Sequence, residues 1–114
     1  MRVLFVKKKF LDLILAGKKP VEVRVCYPSF EKLKPGDTIL LNRQFPFKIK
    51  RISKYKNFSE LLENEDPEKI YPGKTKKEIL EELRSLYPSE KEKLGVIAIE
   101  IEVLDKKERI DFPG

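Results

Sequence analysis

The sequence predicts an α+β fold, a small mixed or antiparallel β-barrel flanked by helices, and three observations carry that expectation. Segments that alternate apolar and polar residues are interspersed with segments of helical spacing. Their order is strand, helix, three strands, two helices, strand and a final short edge strand, which is neither the regular alternation of a parallel α/β sheet nor a helical bundle. At 114 residues, the chain has the commonest size of one domain. Residues 1–114 are therefore expected to fold as a single unit whose core needs no disulfide or metal.

Taken in order, Val3-Leu4-Phe5-Val6 is an apolar run of strand length, expected to be buried on both faces near the centre of the fold. After Lys7-Lys8-Lys9, a solvated helix entrance, Phe10, Leu11, Ile14 and Leu15 share one helical face that docks on the sheet, and Gly17 stops the helix. Val21 to Tyr27 reads as the second strand, broken by Pro28-Ser29. A single helical turn over Phe30 to Lys34 leads to Pro35-Gly36-Asp37, a turn that launches Thr38 to Leu41 as the third strand.

From Phe45 to Tyr55, Phe45, Phe47 and Ile49 fall on one side of a strand, with Pro46, Lys48 and Lys50 on the other. Ile52 then falls on the parity of the lysines. That slip predicts a bulge or sharp bend near Arg51, and Pro46 belongs at an edge or at the strand start. Asn57-Phe58-Ser59-Glu60 forms a capping box for a short helix faced by Phe58, Leu61 and Leu62. An irregular link through Pro67 and Pro72-Gly73 precedes a second capping box, Thr75 to Glu78, and a helix faced by Ile79, Leu80, Leu83, Leu86 and Tyr87 that Pro88 stops. Gly95 opens the last long strand, with Ile97, Ile99, Ile101 and Val103 alternating against Ala98, Glu100 and Glu102. Lys106 to Arg109 is expected to turn, and Ile110 to Phe112 to add the edge strand.

Charged residues make up 39% of the chain and the formal net charge is +6. A basic surface raises the local concentration of phosphate groups, so a polyanionic partner is expected, although the same lysines also serve solubility. With no histidine and one cysteine, a His-dependent triad, a His-containing metal site and an internal disulfide are all excluded. Cys26 has no partner to activate it and reads as a small packing residue. No cofactor is expected. The apolar segments are too short to span a bilayer and the N-terminus has no leader pattern, so the expected compartment is the cytoplasm, with no membrane partner.

The stretch from Gly17 to Arg24 carries the chemistry. Val21, Val23 and Val25 share one strand face and Glu22, Arg24 and Cys26 the other, so Glu22 and Arg24 enter a common space, joined from the turn by the Lys18-Lys19 pair. Arg24 can clamp a phosphate or carbonyl, Glu22 can accept from a base amino group, and Lys19 supplies a point charge. Tyr27 and Arg43 complete the expected cleft wall. The alternative is an ion pair that merely fixes the turn. Separately, Lys48, Lys50, Arg51, Lys54 and Lys56, with Arg43 close by, interleave with Phe45, Phe47 and Tyr55. This is either a platform for single-stranded RNA or a strand whose rings enter the core. Alternation sends Phe45 and Phe47 inward and leaves Tyr55 as the stacking candidate.

Gly17-Lys18-Lys19-Pro20-Val21-Glu22-Val23-Arg24 resembles the signature of the ASCH domains: a Gly, a Lys two places later, then Glu and Arg on the following strand. The resemblance extends to Leu33 to Asp37, the Phe58 to Glu63 helix, Tyr71-Pro72-Gly73, Tyr87-Pro88 and Gly95 to Ile99. It implies a PUA-like β-barrel whose cleft is lined by the signature Lys, Glu and Arg, with RNA or a nucleotide-like small molecule as ligand. Some relatives are amidohydrolases acting on N4-acetylcytidine through the signature Lys, a strand Thr and a later Glu, and others have been linked to RNA cleavage. Here Glu22 stands at the position of that Thr, and Glu60, Glu63, Glu65 and Glu68 all compete for the later Glu.

Two functions follow as expectations. The first is RNA or nucleotide binding through the Lys-Glu-Arg cleft. The second is a hydrolase acting on N4-acylated cytidine-like nucleosides or on RNA, with Glu22 as general base, Lys19 or Arg24 as charge stabiliser and water as nucleophile. A blander third option is an accessory domain with a vestigial cleft.

Overall fold

The computed structural model describes residues 2–104. Five strands, β1 (Val3–Leu4), β2 (Val21–Val25), β3 (Thr38–Leu41), β4 (Phe45–Tyr55) and β5 (Val96–Val103), form one mixed sheet in the order β1-β3-β4-β5-β2. Only the β1–β3 pair is parallel. Helices α1 (Lys8–Leu15), α2 (Phe58–Asn64), α3 (Pro67–Ile70), α4 (Lys76–Leu86) and α5 (Ser89–Glu92) connect the strands, with a 3₁₀ turn at Pro28–Phe30.

Period-two alternation splits the interior into two cores, one on each face of the sheet. Val21, Val23, Val25, Val96 and Ala98 pack against Phe58, Leu61 and Leu62 of α2, Ile70 of α3 and Ile79 and Leu83 of α4. On the opposite face Ile97, Ile99 and Ile101 meet Leu4, Ile14, Cys26, Ile39, Leu41, Phe47 and Ile49. The central place of β5, between β4 and β2, is what its isoleucine alternation anticipates. Phe45 and Phe47 enter this second core, Phe47 with no exposure at all.

The bulge lies where parity slips, between Ile49 and Arg51. Arg51 opposes Glu100 and Lys50 is the extra residue, and both reach the Glu100 carboxylate, at 3.0 and 3.9 Å. The extra residue keeps Ile52 on the core of Phe47 and Ile49 and swings Arg51 and Tyr55 toward α2. Two cations on one carboxylate thus help to hold the irregular register.

Several expectations are corrected. The sheet is not a closed barrel: the edge strands β1 and β2 are not paired, and β1 has only two paired residues before the chain leaves for α1. The first strand is consequently an edge rather than a centre, and Phe5, past its end, is 59% exposed. Asn57 caps α2 as expected, but Glu60 accepts from the Lys56 amide rather than from Asn57, so that box is not reciprocal. The Thr75–Glu78 box is complete. The link after α2 contains the one-turn α3, whose Pro67 occupies a position where a missing N–H costs nothing. The expected turn near Phe30 begins at Pro28. The turn and edge strand expected over 106–112 lie outside the described residues. No helix among those residues is long and apolar enough to cross a membrane.

Candidate functional site

The unpaired seam between the two sheet edges is where the signature residues meet. Helix α1 ends in a Schellman motif: the Lys18 amide donates to Leu13 O and the Gly17 amide to Ile14 O, with Gly17 at φ 76°. Only a residue without a Cβ enters that conformation cheaply. The motif reverses the chain and delivers Lys19 to the start of β2.

Lys19 is 3% exposed and Glu22 7%. The Lys19 ammonium donates to Val21 O and Ile70 O, both at 2.8 Å, and lies 3.3 Å from Glu22 Oε1. Its three protons therefore have three acceptors. Glu22 Oε1 also accepts from the Val23 amide at 3.2 Å, and Oε2 accepts from Arg24 Nε at 3.1 Å and Nη2 at 2.8 Å. Arg24 Nη2 donates again, to Phe5 O, and this bond spans the seam from β2 to the residue after β1. Among the described residues, Arg24 Nη1 has no hydrogen-bond partner.

Burial, the largest influence on Lys19, pulls its ammonium below the ordinary value against the attraction of Glu22, and Arg24 adds repulsion. Burial by itself would raise the Glu22 carboxyl, yet the attraction of Lys19 and then Arg24 holds it below the usual carboxylate range. The cluster is a buried carboxylate clasped between the Lys19 and Arg24 nitrogens.

Beside it opens a cleft of about 180 Å³, walled chiefly by Phe5, Phe10, Val23, Ile79, Leu83 and Tyr87, with Lys7, Lys19, Glu22, Arg24 and Glu82 as its charged groups. Phe10 meets Tyr71 edge to face at 5.2 Å, and the Lys9 ammonium lies 4.9 Å from the Phe10 ring centre while pairing with Glu82 at 3.1 Å. That pair joins α1 to α4 across the cleft, and its hydrogen bond raises the Lys9 ammonium above its ordinary value. Burial pushes the Tyr87 phenol up as well.

Lys19, Glu22 and Arg24 are thus brought together as the alternation requires, whereas the other expected contacts disperse. Lys18 is exposed and does not line the cleft. Tyr27 packs beside the valine core, and Arg43 sits at the tip of the β3–β4 hairpin over the Phe5 ring. None of Lys48, Lys50, Arg51, Lys54 and Tyr55 lines the cleft. Lys48, Lys50 and Lys54 are exposed. Arg51 forks onto Glu65 at 2.9 and 2.8 Å, and the Tyr55 hydroxyl donates to the same carboxylate. Of the competing glutamates, Glu65 is buried in that second cluster, and none of Glu60, Glu63, Glu65 and Glu68 lines the cleft.

Glu82, which no sequence argument singled out, supplies the carboxylate facing the cleft from α4. The signal was present in the helical spacing: Glu82 shares the face of Ile79, Leu83 and Leu86, an acid set into an apolar stripe. Among the described residues, no group of His, Cys, Asp and Glu is placed to hold a metal ion.

The ASCH domain model matches residues 4–105. Hypothetical protein PH0355, known from a crystal structure, is 37% identical, superposes with a TM-score of 0.85, and is matched over 91% of this chain and 100% of its own. Protein PF0455 from Pyrococcus furiosus, solved by solution NMR, is also 37% identical, with a TM-score of 0.76 over 91% of this chain and 97% of that one. Among curated proteins none matches the sequence significantly. With the family match spanning nearly all of the described residues and the signature Lys, Glu and Arg gathered at one seam, the chain belongs to the ASCH domain family.

Proposed function

We propose that the cleft binds one nucleotide unit of RNA, its base in the apolar cavity and its polar edge on Arg24. The observation that carries this reading is the guanidinium itself. Arg24 is held by Glu22 and Phe5 O through Nε and Nη2, while Nη1, on a side chain that lines the cleft, has no protein partner among the described residues. A pre-oriented, half-satisfied guanidinium beside a greasy cavity is suited to a flat ligand with a carbonyl or phosphate oxygen. An apolar cavity of about 150 Å³ accepts a benzene ring, so the volume here fits a base ring and leaves the sugar-phosphate outside, near Lys7. The family, generally thought to bind RNA, and the net charge of +6 support the same ligand. Lys48, Lys50 and Lys54 contribute long-range attraction to the phosphates in this reading, and Arg51 and Tyr55 are structural.

Lys19 and Glu22 are then positioning residues that hold Arg24. No observation favours the hydrolase alternative. The acceptor positions of Glu22 are engaged, and its lowered carboxyl is a weak base.

Fluorescence anisotropy with a labelled short oligoribonucleotide tests the reading. Affinity should fall with salt at a log–log slope of about −0.7 per phosphate contacted. Arg24→Lys keeps the charge beside Glu22 but loses the fork, and should weaken binding about tenfold. Binding that ignores salt, or an Arg24→Lys protein of unchanged affinity, overturns it.

A further inference from the structure

The seam carries a second feature just outside the cleft. Phe5 is the most exposed of the large apolar side chains among the described residues, at 59%, and Arg43 lies over its ring with the guanidinium carbon 5.6 Å from the ring centre. Neither side is there by slack. Asn42 and Arg43 are the central residues of the turn at the tip of the β3–β4 hairpin, closed by the Gln44 amide on Leu41 O, and both have positive φ, 50° and 61°. Asparagine tolerates that conformation; arginine at the second position does so at a cost.

The Asn42 side chain fastens the tip to the segment that carries Phe5. Its Oδ1 accepts from the Val6 amide at 2.8 Å, and its Nδ2 donates to Val6 O at 3.1 Å. The Phe5 carbonyl is in turn held by Arg24. Ring, overlying cation and the cleft's guanidinium are thus tied into one unit. Arg43 makes no hydrogen bond or ion pair with any described residue, so its charge remains available.

We propose that Phe5 and Arg43 form a stacking step for the nucleotide next to the one in the cleft, and that the ligand is accordingly single-stranded RNA of two or more nucleotides rather than a free nucleotide. This deepens the reading of the cleft as a nucleotide site and rests on it. An exposed aromatic ring stacks an unpaired base, and the guanidinium over it adds a planar cation and a donor for the intervening phosphate. Continuity places the step correctly, since Phe5 is at once the cleft's wall and the platform.

The experiment compares a nucleoside monophosphate with an unstructured pentaribonucleotide by calorimetry, in the wild-type protein and in Arg43→Ala, Arg43→Lys and Phe5→Leu, reading the ratio of the two affinities. Wild type should prefer the oligomer by about tenfold or more. Arg43→Ala should lose most of that preference while mononucleotide affinity holds, and Phe5→Leu should lower the ratio whatever it does to the mononucleotide. Arg43→Lys should recover only the salt-sensitive part. A wild-type ratio near one, or equal binding of a duplex, overturns the stacking step and leaves the cleft reading intact. So does a ratio unmoved by Arg43→Ala, or a self-association that the variant abolishes. Failure of both ligands to bind at low salt overturns the cleft reading and this inference with it.

Discussion

Two arginine–glutamate clusters of opposite completeness sit on this one sheet. Around Arg51, donors are nearly exhausted: Nε goes to Glu100, Nη1 to Ser53 and Glu65, Nη2 to Glu65. Around Arg24, the carboxylate partner is equally well satisfied, but one guanidinium nitrogen has no partner and a cleft lies alongside. The difference teaches that charge density does not by itself leave a guanidinium free. Within the densest basic stretch of the sequence Arg51 is closed off by its partners at a bulge while the lysines beside it stay exposed, whereas Arg24 at an unpaired edge keeps one nitrogen free.

The sharpest way to break the comparison is to remove the buried acid. Glu22→Ala removes the carboxylate that pairs with Lys19 in a 3% exposed position, and should cost about 3–5 kcal/mol, read as a lowered denaturant midpoint. A protein of unchanged midpoint would mean that the cluster does not hold the seam. Next in size, Arg51→Ala leaves Glu65 buried with Tyr55 as its one side-chain donor among the described residues, a loss of about 1–3 kcal/mol, and should leave nucleotide affinity as it was. A large loss of affinity there would return the interface to β4.

The smallest expected effect separates the clusters by acid. Arg51, its main hydrogen-bond partner, holds the Glu65 carboxyl below the usual range, and Lys19 and Arg24 do the same for Glu22 against its burial. A carboxyl lowered by folding contributes stability that is full above its unfolded value, about 4.3, and is lost as pH falls through the folded value. Both clusters should therefore loosen only below about pH 4. In Arg51→Ala the acid limb of the stability profile should become shallower, since Glu65 no longer contributes, while the part due to Glu22 persists. An unchanged limb would show that Glu65 is not depressed by Arg51.

Much of this was written in local pattern. Gly17 announced the Schellman stop, the parity slip at Ile52 announced the bulge, and valine alternation put Glu22 and Arg24 on one side. What local pattern lacks is partner identity. A strand-length apolar run looks the same at an edge as in a centre, and Val3 to Val6 supplies only a two-residue edge strand. Tyr55 looked free because its acceptor, Glu65, comes from the end of a helix ten residues on, and Glu82 looked like one more solvated glutamate until α4 was laid against the cleft. The barrel expected from the order of the elements is not closed, since β1 offers only two residues to the sheet.

The side-chain bonds at β2 have one more consequence. An edge strand presents a row of unpaired backbone groups on which a foreign strand can add. Here Lys19 occupies the Val21 carbonyl, Glu22 occupies the Val23 amide, and the Tyr27 amide turns back on the Val25 carbonyl. The same charges that orient Arg24 spoil this edge as a template, so a chain that lost them would lose its guard against edge-to-edge aggregation along with the orientation of Arg24.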